Sequence, residues 1–173
     1  MSMITPEYCQ MMARYNAWQN RQMHGACETL TEAELRADRG AFFGSVMATI
    51  NHILWGDFLW MSRLDGGDGP SKPAKEHSEL CATFAIWSQE RQRMDHRIVQ
   101  WAESITVGSL SGYLSWHAQM LDKDMRKPMA QCVVGLFNHQ THHRGQVHAM
   151  LTGFGRKTDN TDLVLMPEET SWL

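Results

Sequence analysis

Apolar residues return at helical spacing from the start of the chain. Thr5 is placed to cap a first long helix and Pro6 suits its first position, after which Tyr8, Met11, Met12, Tyr15, Trp18, Met23, Ala26 and Leu30 recur every three or four residues. Thr31 with Glu34 reads as a capping box for a short helical turn, ahead of a loop around Asp38-Arg39-Gly40. A second long helix is predicted from about Phe42 to Leu64, stopped by Asp65-Gly66-Gly67-Asp68-Gly69-Pro70. The stretch that follows, through Lys75, reads as a surface loop. Ser78 is then placed as the cap of a third helix reaching about Ala102 on Leu80, Phe84, Trp87, Met94, Ile98 and Trp101. Beyond Ile105 the helical period gives way to alternation, which predicts a strand or hairpin with Asp122-Lys123-Asp124 at its turn. Pro128 is expected to open a fourth helix, ended by Gly153 and Gly155. With no repeat and no long linker, the pattern predicts an all-α protein: a four-helix bundle forming a single domain over residues 1–173, with a short β-hairpin or extended segment between the third and fourth helices.

Projection of the fourth helix sorts its histidines. With Leu136 as reference, Met129, Val133, Val147, Leu151 and Phe154 mark the inward side; His143 falls about 20° and His139 about 60° from Leu136, whereas His142 and His148 fall about 120° away on either side. Two imidazoles one turn apart on an inward face can share a metal ion, or else belong to a hydrogen-bonded polar core, because desolvating them without a partner is costly. Gln140 stands where a zinc-protease helix of this spacing carries its glutamate, which argues against a protease. A third ligand has to come from another helix. His52, midway along the second, is the best candidate, since that helix is apolar nearly all round, with Trp55, Leu59 and Trp60 spread about it. His52 then lines a pocket or sits beside a dimer interface, and the same apolar excess predicts a homodimer. His24, His77, His96 and His117 have no partner at ligand spacing and read as ordinary surface or core histidines.

Composition narrows the function classes. The chain has 173 residues, with 16 basic against 19 acidic side chains and a net charge of −3, and no basic block, which disfavours nucleic acid as a partner. No apolar run approaches bilayer length and no signal-like leader opens the sequence, so no membrane partner and a cytoplasmic location are expected. Cys9, Cys27, Cys81 and Cys132 form no paired motif and read as reduced, buried thiols.

The segment Asn51-His52-Ile53-Leu54-Trp55-Gly56-Asp57, followed far downstream by Phe137-Asn138-His139-Gln140-Thr141-His142-His143-Arg144-Gly145-Gln146, resembles the DinB/YfiT-like family of metal-binding four-helix bundles. Tyr15-Asn16-Ala17-Trp18-Gln19-Asn20 is similar to that family's first helix. The resemblance implies His52, His139 and His143 as ligands of a divalent ion, nickel or zinc most often, with iron or copper also compatible with imidazole nitrogen. It further implies open positions for water or a small thiol co-substrate, and an activity as a thiol transferase or thiol-dependent isomerase in which metal-bound water or thiolate is the reactive group. Around the ligands, Asn51 or Asp57 is expected to orient His52 through its second ring nitrogen, and Gln140 or Arg144 to meet a polar substrate. The alternative is a non-catalytic metal-binding or stress-response bundle acting through its dimer surface.

Overall fold

The computed structural model describes residues 3–169. Its long helices are α1 (Pro6–Glu28), α3 (Val46–Leu64), α4 (Phe84–Ser104) and α5 (Met129–Gly153), with a short α2 (Glu32–Arg36) after the first. Strands β1 (Tyr113–Ala118) and β2 (Lys123–Pro128) pair antiparallel ahead of α5. α1 packs on α4 and α5, and α3 packs on the same two helices, which makes a four-helix bundle with the hairpin against α5. Among the described residues no helix is long and apolar enough to cross a membrane.

Local chemistry sets most of the helix starts. The Thr5 hydroxyl accepts the Tyr8 N–H with Pro6 behind it, Thr31 and Glu34 form the expected reciprocal box, and Ser45 and Thr83 accept the N–H groups of Ala48 and Ile86. Three boundaries differ from the sequence pattern. α3 begins at Val46 because Gly44 takes φ +79°, where an α-helix cannot run, and Arg39 N–H donates to the Gly44 carbonyl. The third long helix is capped by Thr83, because the chain around Ser78 is drawn into a 3₁₀ segment, Ala74–Glu79, bonded to α3. Pro128 ends β2 opposite Tyr113 and α5 starts one residue later. The hairpin turn is centred on a 3₁₀ turn, Gln119–Leu121, with Asp122 in the left-handed region at φ +45°.

The core lies between all four long helices. Trp87 is fully buried and donates its indole N–H to the Ile50 carbonyl, among Ile53, Leu54, Met61, Met94, Ile98, Leu136 and Leu151. Each such side chain contributes about 1.5–3 kcal/mol by leaving water, and the four buried cysteines form no disulfide. The outer apolar face of α3 is covered by the chain itself: Trp55 is buried and donates to the Lys72 carbonyl, and Trp60 meets Trp116 of the hairpin at 5.6 Å between ring centroids. Of the residues behind the dimer expectation, Trp55 is buried within the chain, whereas Leu59 and Trp60 are half-buried.

Candidate metal centre

α3 and α5 run side by side, and the turn of α3 at His52–Asp57 lies against the turn of α5 at His139–His143. His52 Nε2 lies 2.9 Å from His139 Nε2, and one ring nitrogen from each of His52, His139 and His143 falls within 4.8 Å of the others. The three rings form a near-equilateral triangle, with centroids 4.9, 4.6 and 4.6 Å apart. Two nitrogens each about 2.0–2.1 Å from a shared ion stand roughly 3–3.4 Å apart, so the His52–His139 pair already has nearly that spacing and the three residues together could hold a divalent ion. Burial draws the pKa of His52 down to about 3, helped by the neighbouring His139, His143 and His77, and that of His139 down to about 4 against the pull of Asp57. His143 is lowered as well, first by burial. Neutral imidazoles keep the lone pairs that coordination requires.

His139 sits where it does because residue 56 has no side chain. A Cβ built on Gly56 would come 2.8 Å from His139 Cε1 and 3.3 Å from Nδ1. In an ordinary helix interior Gly→Ala stabilises by about 1 kcal/mol. Gly56→Ala is expected instead to displace His139 and to weaken metal uptake by about tenfold or more, the scale of losing an orienting contact; an undiminished metal-to-protein ratio in competition with a chelator would show that the ring has room to turn.

The surroundings differ from the sequence expectation. Neither Asn51 nor Asp57 meets His52. Asn51 is buried and bonds to the backbone of Ser78 and Cys81, and Asp57 forms a buried ion pair with Arg91 at 2.5 Å. Gln140 is sealed from solvent and donates to the other Asp57 oxygen at 2.6 Å. Arg144 turns into the α1–α5 interface, where it bonds Asn16 and lies over the Tyr15 ring; burial lowers its pKa to about 10. His142 is exposed at the rim, as its projection predicts.

Groups to which the sequence pattern assigns no site role, His77 among them as an ordinary histidine, fill the site's margin. Gln146 Oε1 lies 2.8 Å from His143 Nδ1, accepting its proton and leaving the Nε2 lone pair available for coordination. Its position one turn beyond His143 was legible in the sequence. Phe43, from the loop before α3, packs on His52, His77 and His143 with centroids 4.2, 5.1 and 5.3 Å away. His77 Nδ1 lies 3.0 Å from His52 Nδ1, a contact across 25 residues that no spacing rule predicts. The buried Nδ1 of His139 has no hydrogen-bond partner among the described residues.

The DinB family model matches residues 3–172. The chain belongs to the DinB family. A family relative, Protein DinB of Bacillus subtilis (strain 168), is 21% identical over 160 residues, which span 86% of this chain and 87% of the relative. The DinB resemblance seen in the separated His52 and His139-to-His143 segments thus holds over nearly the whole chain, and those segments are the ones the fold brings into contact.

Proposed function

We propose that this DinB-family protein is a divalent-metal enzyme of the thiol-transferase kind, with His52, His139 and His143 holding nickel or zinc. The observation that carries the reading is the convergence of three neutral imidazoles at the edge of the bundle. His143 is held in its coordinating tautomer by Gln146, and Phe43 keeps one side of the rings apolar. A bound ion would supply Lewis-acid character, lowering the pKa of a water or thiol that reaches its open positions. The thiol has to come from outside. Cys9, Cys27, Cys81 and Cys132 are all buried, and burial pushes the first three to about 11, 12 and 11 and raises the fourth, so none is a ready nucleophile. Phe43 and the exposed His142 each pack on the His143 ring, and an electrophile would meet the first by apolar contact and the second by hydrogen bonding.

The test is conjugation of glutathione or cysteine to a dinitrophenyl halide, in which the sulfur bonds to the aryl carbon, the halide leaves and the thiol proton passes to solvent. Metal-loaded protein is expected to exceed the metal-stripped protein by about tenfold or more, equivalent to about 1.4 kcal/mol of barrier. Equal rates with both thiols would overturn the transferase reading in favour of a non-catalytic metal-binding bundle.

A further inference from the structure

The loop after α3 is a strap rather than a free surface segment. Trp55 Nε1 donates to the Lys72 carbonyl at 2.8 Å, and Lys72 Nζ reaches the Glu79 carbonyl at 2.5 Å. Asn51 then grips the far end: its Nδ2 donates to the carbonyls of Ser78 and Cys81, both at 3.2 Å, and its Oδ1 accepts the Cys81 N–H at 3.0 Å. Between these fastenings the 3₁₀ segment Ala74–Glu79 carries one imidazole to the metal centre. His77 lies edge-on to His52 with centroids 4.6 Å apart, and Phe43 and Trp55 pack against the same ring at 5.1 and 6.2 Å.

We propose that His77 is a positioning residue of the metal centre, accepting the Nδ1–H of His52 and so fixing His52 in the tautomer whose Nε2 lone pair faces His139 and His143. The inference rests on the metal reading above and deepens it. A neutral imidazole carries one proton. For His52 to coordinate through Nε2 that proton has to sit on Nδ1, where it needs an acceptor. Metal-bound histidines commonly find that acceptor in a carboxylate, a backbone carbonyl or water. Here the atom 3.0 Å from His52 Nδ1 is His77 Nδ1. His77 therefore keeps its own proton on Nε2 and offers the Nδ1 lone pair. Asn51, expected to orient His52 itself, instead holds the strap that brings His52 its acceptor: neighbouring residues on α3 bind neighbouring parts of one loop.

The proposal is tested on the full chain, purified without a histidine tag, stripped with chelator and titrated with Zn²⁺ against a chromophoric competitor. His77→Ala is expected to keep a stoichiometry of one ion per chain and to lose about 10–100-fold in affinity, the range for outer partners of metal-bound histidines. His77→Asn places an amide oxygen near the position of Nδ1 and is expected to return the affinity to within about threefold of the parent. Thermal unfolding of the metal-free variants separates loss of the acceptor from loss of the strap. Parent-like affinity in His77→Ala, or a folded His77→Asn as weak as His77→Ala, would overturn the positioning role while leaving the three-histidine site intact. A parent protein that takes up no ion would overturn the metal reading and this proposal with it.

Discussion

Replacing His143 by Ala is expected to abolish stoichiometric metal binding while leaving the bundle folded. The two halves of that expectation have separate causes. His143 is one of three converging donors, and its Nδ1 is held by Gln146, so its loss removes a preorganised ligand and leaves two. The affinity should fall by more than the roughly 10–100-fold typical of outer partners. The fold, by contrast, rests on Trp87, Ile50, Ile53, Leu54, Leu136 and Leu151, all buried between the helices and none of them a candidate ligand. Metal removal should then lower the unfolding temperature only by the linkage of a ligand that binds the native state, a shift that depends on ion concentration. Elemental analysis of the purified protein measures the first half, and far-ultraviolet dichroism with thermal unfolding the second. His142→Ala is the control, because that ring is exposed at the rim. An alanine variant at 143 that still carries one tightly held ion per chain would remove His143 from the ligand set.

The second large effect is structural. Asp57 is completely buried; one oxygen pairs with Arg91 at 2.5 Å and the other accepts from Gln140 at 2.6 Å, while Arg91 also meets Asp95 at 2.9 Å. Burial works against the Arg91 charge, but Asp95 and Asp57 outweigh it and hold its pKa above the ordinary value. Removing one member leaves a buried cation short of its counter-charge, which costs about 3–5 kcal/mol even where the intact pair adds little net stability. Asp57→Ala should therefore lose much of a total that for domains of this kind is about 5–15 kcal/mol, and lower the urea midpoint by about 2 M. In Asp57→Asn the new amide can face Arg91 with its oxygen while Gln140 turns its own unpartnered oxygen to the new N–H, so less than about half the loss is expected. A loss below about 1 kcal/mol for Asp57→Ala would mean that water reaches the pair. Because Gly56 and Asp57 on α3 face His139 and Gln140 on α5, the same variant should also loosen the seat of His139.

Much of this was legible along the chain because it depends on neighbours within a helical turn. Thr5 with Pro6, and Thr31 with Glu34, announce helix starts through bonds that close within a few residues. His139 and His143 share a face because the helical period fixes it, and the same arithmetic puts His142 at the rim. Gln146 and Gly56 were readable on the same terms, the one a turn beyond His143 and the other a glycine whose helix-interior cost calls for a close approach. The cap assigned to Ser78 failed for the opposite reason: its backbone is bonded to Asn51, far back in the chain, and that contact outweighs the local preference.

The sequence by itself determined four amphipathic helices, a β-hairpin or extended segment before the last of them, and the inward-facing histidine pair of α5. Only the tertiary structure decided that His52 meets that pair, that His77 and Phe43 flank it, that Gln140 bonds Asp57, and that Arg144 turns toward Asn16 of α1. Helical period and capping fix the direction of a side chain relative to its own axis. The partner it meets depends on which axis lies opposite and at what register, set jointly by the whole core and by polar groups that have to be paired once buried.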